Sequence, residues 1–523
     1  MKKIIITTIC LALFSNVCFA EDIYIAQTST GANSGADCID AHSASWFNSS
    51  GNWSSTKTSG KIGPGDTIHL CGSFTAAGGS TMLTAQSSGT SGLPITILFE
   101  SNSKLSAPYW SVSSGAINIS NKSYITIDGG SNGTIEATDN GTALSNKVSS
   151  RGIVASYTSN CTIKNLSINN MYVHDNVYNN NDTGIDQTNT NGIIFLNSPN
   201  LTIDHVIVKD AGWALNGWGN NITISNCDIS NVDHGIAFGP GGTVSGINIY
   251  GNHFHNYVNW DTTSNVFHHD GIHMWGGITA GGAASDRVNG VNIYNNTFDG
   301  DSGVNITAHI FLEEQVQNVN IFNNIFIVPS NRTINAVWLE GRNQSSDSYN
   351  NGHGLSNAIY NNYINAGKIS GGGAALFARY QDNLSVKNNI FVGGNGAISL
   401  VNTTIATGGI NNNIYAIMGN GNTFGFGSNS SDNFSSWKSW LPSGSGQDSN
   451  SWAGTLTDIK IDSNGYIQSG SPAKGLGTNL SNIGISALNN DKNGSPRSAS
   501  LAWDAGAYNF TGLITLPSPV LNP

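Results

Sequence analysis

The sequence predicts an all-β protein, a right-handed parallel β-helix (solenoid) with an N-terminal cap and first coils and a C-terminal cap. Three observations lead there. A short template recurs as Ile249-Tyr-Gly-Asn-His-Phe254, Ile293-Tyr-Asn-Asn-Thr-Phe298, Ile321-Phe-Asn-Asn-Ile-Phe326, Ile359-Tyr-Asn-Asn-Tyr-Ile364 and Val386-Lys-Asn-Asn-Ile-Phe391, with earlier copies at 163–168, 203–208 and 224–229 and a later one at 410–415. Each copy is followed by a second short segment, such as Gly192-Ile-Ile-Phe195, Gly271-Ile-His-Met274, His309-Ile-Phe-Leu312 or Ala336-Val-Trp-Leu339. Both segments alternate apolar with other residues, which is the two-residue period of strands. Insertions of irregular length fall between the same strands, as in a solenoid whose coils stack about 4.8 Å apart. A propeller needs regular four-stranded blades, and no such pattern is present.

In chain order, residues 1–20 come first: Met1, Lys2 and Lys3, an apolar run from Ile4 to about Phe14, and a small-x-small end at Ala20. This is a signal peptide cleaved after Ala20, with an apolar run too short to span a bilayer. It predicts a secreted protein, extracellular or periplasmic. Ser15 stands three before Cys18, where a lipoprotein signal carries a Leu-type residue, so lipidation is not expected. Cys10 and Cys18 leave with the signal; Cys38 and Cys71, which bracket an N-terminal segment, are the disulfide candidates, and two free thiols are the alternative.

Residues 21–110 form the N-terminal cap and first coils, 111–429 the coils with groove-lining loops, and 430–523 the C-terminal coils and cap, with Trp437 and Trp440 in a short capping helix. An open solenoid end exposes strand edges, so a cap is physically required. Charged residues are only 10% of the chain, yet 12 Trp, 16 Tyr and 19 Phe exclude a disordered polymer. The net charge of −11, more negative once Lys2 and Lys3 are removed, excludes nucleic acid and anionic membranes as partners. No later segment reads as transmembrane, and the chain is expected to be a monomer acting on a polysaccharide.

The template places Asn252, Asn296, Asn324, Asn362, Asn389 and Asn413 at one turn of successive coils, where an inward amide can satisfy turn backbone and its neighbours. Earlier coils carry Leu166, Val206 and Cys227 there, so Cys227 is read as a buried thiol. This column resembles the asparagine ladder of the pectate-lyase-like β-helix superfamily. Lys61 to Leu70 and Ser88 to Ile97 resemble the opening coils of secreted bacterial β-helix proteins. Gly470 to Lys474, Asp491 to Arg497 and Trp503 to Tyr508 resemble their closing segment. The resemblance implies architecture and not a reaction.

The long connections, at about 169–191, 255–270, 276–290 and 341–357, flank the second strand type and wall a groove along its sheet. Aligning its inward Ile272, Ile310 and Val337 puts His273, Phe311 and Trp338 in one outward column and Trp275, Glu313 and Glu340 in the next, with Glu314, Arg342 and Arg379 just beyond. The Glu313 and Glu340 carboxyls would then lie about 5 Å apart and share a proton near neutral pH. Such a pair could supply the acid and the nucleophile or base of glycoside cleavage. The bland alternative is a stripe salt-bridged to Arg342 or Arg379.

His268-His269-Asp270-Gly271-Ile272-His273 is the densest polar cluster, with His234 beside Asp270 one coil earlier. Asp270 and His273 are candidate acid–base groups. Trp275, Trp338, Arg342, Arg379, His269 and His234 are candidate substrate contacts. No zinc motif is recognisable, so no metal ligand is assigned, while calcium at Asp-rich turns stays open and no cofactor is otherwise expected. The polygalacturonase Asp, His and Arg-Ile-Lys set is absent. Tyr250, Tyr294, Phe322 and Tyr360 read as a structural outer stripe. The first function is a secreted glycoside hydrolase using Glu313 and Glu340; the alternatives are a polysaccharide lyase on a uronate polymer and a non-catalytic adhesion or binding β-helix.

Overall fold

The computed structural model describes residues 20–175, 187–261, 268–277, 283, 285–329, 334–343, 351–367, 373–443 and 446–511. Residues 1–19 of the expected signal peptide lie outside them, as do 176–186, 262–267, 278–282, 284 and 344–350 of the long connections.

The chain winds into a right-handed parallel β-helix. Each coil passes through three strands, one per sheet. The first sheet has 14 strands and carries the template segments; His42–Ser43 lies at its edge beside Asp22–Ala26, and from there the strands follow in chain order to Ile405–Asn411. Within the coils its pairs are parallel and in register, so Ile249, Ile293, Ile321 and Ile359 stack on the inside. The second sheet follows the Asn turn and includes His253–His255, Thr297–Asp299, Ile325–Ile327 and Tyr363–Asn365. The third includes Asn191–Phe195, His269–Trp275, Ile306–Glu313, Asn335–Glu340, Ala374–Arg379 and Gly396–Val401. Ile207–Gly217 and Asp228–Phe238 run through both sheets, pairing first with second-sheet and then with third-sheet strands.

The interior is filled by these ladders of like residues, which follows from stacking similar coils. Phe254, Phe298 and Phe326 stack with ring centroids 4.8 Å apart. That spacing is the strand separation itself, so identical side chains pack face to face without adjusting the backbone.

The Asn-Asn pair of the template has two separate jobs. Its first residue takes the left-handed conformation that turns the chain, with φ of 55° at Asn295, 54° at Asn323, 51° at Asn361 and 60° at Asn388. Asn tolerates that region better than other residues with a Cβ. Its second residue points inward and is fully partnered: Asn324 Nδ2 donates to Ile293 O at 2.9 Å and to Asn362 Oδ1 at 3.1 Å, and its Oδ1 accepts from the backbone N–H and Nδ2 of Asn296, both at 3.0 Å. The pattern repeats at Asn252, Asn296, Asn362 and Asn389, and Asn252 Oδ1 also takes the Cys227 N–H at 2.9 Å. Cys227 is a buried free thiol, pushed up to about 12 by that burial.

At the N-terminal end, Cys38 and Cys71 form a disulfide with Cα atoms 5.6 Å apart. At the other end the helix Phe434–Trp440 closes the stack, with Trp437 stacked on Phe424 and its indole N–H held by buried Asp448. The segment after residue 455 does something a cap alone would not. It runs back along the Asn-turn edge, where Asn412 donates to Leu476 O, Asn388 to Thr478 O, Asn361 to Asp504 O and Asn323 to Asn490 O. Lys492 reaches the carbonyls of Asn295 and Asn296 at 2.6 and 3.1 Å. Leu480, Leu488 and Trp503 pack on Phe322, so the outer aromatic stripe is partly covered rather than solvated. Among the described residues no helix is long and apolar enough to cross a membrane.

Candidate functional site

The third sheet presents two outward columns to one side of the coil. Ala237, His273, Phe311, Trp338, Phe377 and Ser399 are paired in succession along one, and Trp275, Glu313, Glu340 and Arg379 along the next. Alternation along each strand sends Met274, Leu312 and Leu339 inward between them. Ring contacts continue along the first column, with His273 stacked on Phe311 at 4.7 Å, Phe311 against Trp338 at 5.2 Å and Trp338 edge-on to Phe377 at 5.4 Å.

Downstream of Trp338 this surface deepens into a cleft of about 390 Å³. Its walls carry Asn335, Trp338, Phe377, Asn395, Ser399 and Asn422: half-buried aromatic surface, amides and a hydroxyl, with no ionisable group among the described lining residues. Trp338 also belongs to the charged part of the site, because its indole N–H donates to Glu340 Oε2 at 2.8 Å.

Glu313 and Glu340 occupy adjacent coils in direct register and are 7% and 5% exposed. The expected proton shared between them does not form at Glu313. Burial alone would raise that carboxyl, but His273 and Arg342 outweigh it and hold it below the usual range. Arg342 bonds Glu313 through Nη2 and reaches Glu314 Oε1 from Nε at 2.9 Å. Arg379 grips Glu340 with Nε at 2.8 and 3.1 Å from the two oxygens, and with Nη2. Both expected substrate-contacting arginines are therefore engaged by carboxylates, and each carboxylate has its own guanidinium. The chain turns sharply just past Glu313, where Glu314 and Gln315 both have positive φ, 41° and 23°. Two consecutive residues with side chains in that region store backbone strain beside the carboxylates.

Behind the first column lies a buried polar chain. His269, expected to touch substrate, is fully buried: Nδ1 is 3.2 Å from Asp233 Oδ1 and Nε2 is 2.9 Å from Asp261 Oδ1. It links two carboxylates under the sheet instead of lining the groove. His234 is likewise 1% exposed, with Nδ1 donating to Asp233 Oδ2 at 2.8 Å. Burial alone would lower this imidazole, but Asp233 and Asp270 push it up to about 10. The same pairing holds Asp233 well below the carboxylate range.

Asp270 is also fully buried, and its Oδ1 accepts the Ala308 N–H at 3.0 Å. Its Oδ2 faces His234, His273 and His268. Ligand atoms of these four residues lie within 4.8 Å of one another, as do those of Asp228, His253 and His255 on the second sheet. Both groups contain imidazoles, which suit transition ions better than calcium. The sequence already places these four residues together; no metal ligand is assigned from it because the set joins a sequence-local triplet to one residue from the preceding coil and so matches no zinc motif. Aligning Asp233-His234-Gly235-Ile236 with His269-Asp270-Gly271-Ile272 gives the register that brings His234 beside Asp270.

Trp275, expected to offer a flat face, is half-buried, and one side lies on Gly239, where a Cβ would stand 2.1 Å from the ring. Trp338 lines the cleft, and Phe377, which sequence reasoning did not single out, does so beside it. The signal for Phe377 was its register with Trp338 one coil on.

No family model matches the chain, and no curated protein matches its sequence. Among solved structures it is similar to pectate lyase Pel9A at 13% identity, over 95% of this chain and 98% of that one, with a TM-score of 0.43. It is similar to the Streptococcus pneumoniae surface protein and adhesin PfbA at 14% identity, over 64% and 86% of the two chains, with a TM-score of 0.39. It is similar to the GH136 lacto-N-biosidase from Eubacterium ramulus at 13% identity, over 74% and 67%, with a TM-score of 0.41.

Proposed function

We propose that the chain is an exported, carbohydrate-active β-helix protein, a glycoside hydrolase that takes a neutral polysaccharide along its third sheet. One observation carries the reading: a cleft whose described lining is aromatic faces, amides and hydroxyls opens beside Glu340, which is bonded to the Trp338 that lines it. Sugar rings offer apolar faces to stack and hydroxyls to pair with amides, so such a wall recognises a neutral chain. In this reading Glu313, which His273 and Arg342 hold in its ionised form, takes the proton of the attacking water or attacks the anomeric carbon, and Glu340 gives a proton to the leaving oxygen as the glycosidic bond breaks. Trp338, Asn335 and Phe377 position the sugar. The Cys38–Cys71 disulfide supports export to an oxidising compartment.

A lyase acting on uronates is disfavoured by the same geometry. It would need a cation to meet the substrate carboxylate, and the two described arginines of the groove columns, Arg342 and Arg379, already hold carboxylates in a chain of net charge −11.

The test is a panel of neutral and acidic glycans incubated with the mature protein, followed by assay of new reducing ends and of the absorbance of unsaturated uronates. The expected result is reducing ends alone, from neutral glycans. Unsaturated products would make the protein a lyase, and no product across the panel would leave a binding protein; either overturns the reading. Glu340→Gln and Glu313→Gln are each expected to lower turnover by roughly 10²–10⁴-fold.

A further inference from the structure

We infer that His234, His268, Asp270 and His273 bind one divalent transition metal ion, zinc being the best match. The inference does not depend on the glycan reading, since metal binding is measured without any sugar.

The distances are those of a coordination shell. His234 Nε2 lies 3.2 Å from His273 Nδ1 and 3.3 Å from Asp270 Oδ2, and the third side, His273 Nδ1 to Asp270 Oδ2, is 3.6 Å. Zinc bonds of about 2.0–2.1 Å in a tetrahedron place neighbouring donors about 3.3–3.4 Å apart. His268 Nε2 is 3.9 Å from Asp270 Oδ2, and its side chain is 51% exposed. It would close the fourth position from the solvent side and mark the path by which an ion enters.

An independent observation points to a ligand. Asp270 Oδ2 is buried and accepts no hydrogen bond, although the other oxygen of the same carboxylate is satisfied by Ala308. With imidazole nitrogens at 3.3, 3.6 and 3.9 Å but no hydrogen bond, this buried carboxylate oxygen has partners around it and none close enough to satisfy it, which is costly. A proton between His234 Nε2 and His273 Nδ1 would satisfy the two imidazoles and leave that oxygen as it is. A cation at the centre of the set satisfies all of them together.

The outer contacts suit the same assignment. Metal-bound imidazoles usually donate their second N–H to a carboxylate, which fixes the tautomer and turns the free lone pair inward. His234 does so to Asp233 at 2.8 Å, and His273 Nε2 faces Glu313 Oε2 at 3.4 Å. Asp233 is itself held by His269, and His269 by Asp261. Three imidazoles and one carboxylate select zinc or a neighbouring transition ion over calcium or magnesium. The second cluster differs on the deciding point: His253 sits between Asp228 and Asp299 at 3.2 and 2.7 Å, His255 bonds Asp228 at 3.1 Å, and no carboxylate oxygen there is buried without a partner.

The test uses the folded mature protein, stripped with a chelator and titrated with zinc against a chromophoric competitor. One zinc per chain is expected, and cobalt in its place should give the visible absorption of a tetrahedral ion. His273→Ala and Asp270→Ala should weaken binding at least 100-fold. His268→Ala changes only an exposed side chain, so it keeps the fold and should still weaken binding. Asp233→Asn, an outer-contact change, should cost about 10–100-fold. A His253→Gln/His255→Gln double variant should bind as the wild type does. Absence of saturable zinc uptake by the folded wild type overturns the site. So does uptake unchanged by His268→Ala, or lost only in the double variant. Glycan cleavage enters none of these readouts, so this inference and the hydrolase reading fail separately.

Discussion

Trp338 has two functions that single substitutions can separate. Its ring lines the cleft, while its N–H holds Glu340. Trp338→Ala removes both. Losing a large apolar face costs about 1.5–3 kcal/mol, so KM should rise roughly tenfold or more. Trp338→Phe keeps much of the face and removes the donor, so kcat should fall with KM close to wild type; steady-state kinetics on a soluble oligosaccharide reads the split. Which residues share a column was legible in the sequence, because strand alternation and coil alignment fix faces: His273, Phe311 and Trp338 were readable together, and so were Trp275, Glu313 and Glu340. What those side chains touch was legible only as an alternative, a stripe salt-bridged to Arg342 or Arg379, and both of those ion pairs are present. Alternation says that Glu313 points outward, but the rotamers that bring Arg342 onto it and Arg379 onto Glu340 depend on loops of no fixed length. Nor could it tell that His269, adjacent to Asp270, turns beneath the sheet to join Asp233 and Asp261.

At the scale of the turn and strand, the Asn-Asn dipeptide divides backbone strain from side-chain bonding between two adjacent residues. Asn324→Ala would leave the backbone N–H and Nδ2 of Asn296, the Ile293 carbonyl and Asn362 Oδ1 each short of a partner. Leaving one buried polar group unsatisfied costs about 1–3 kcal/mol, so a loss of about 3 kcal/mol or more is expected in guanidinium unfolding. A loss under about 1 kcal/mol would mean that water replaces the amide. The repeat made these strands readable, since similar coils carry similar residues at similar places. The C-terminal return was not readable in that way. Residues 456–511 do not repeat, and the sequence gives no direction for a segment bound through Asn side chains whose exposure depends on the turn geometry.

For the whole molecule, stability should depend on pH through the second sheet. Burial lowers the His253 imidazole, but Asp228 and Asp299 outweigh it and raise it to about 9. A folded value above the unfolded one, about 6.5, means that the fold favours the protonated form. This contribution is complete below about pH 6.5, shrinks as pH rises and is gone above about pH 9. Thermal melts should therefore show a lower Tm at pH 10 than at pH 6. The difference should narrow in His253→Gln, whose side chain carries no proton to lose; an unchanged difference would place the pH dependence elsewhere.

A glycosidase built this way must hold its sugar chain in the third-sheet cleft. A crystal structure of Glu340→Gln soaked with an oligosaccharide of the glycan the protein cleaves tests this most directly. A ring seated against Trp338 and Phe377, with its hydroxyls paired to Asn335 or Asn422 and a glycosidic oxygen beside residue 340, is the predicted result. Sugar bound on the first or second sheet, with this cleft left to solvent, would contradict it.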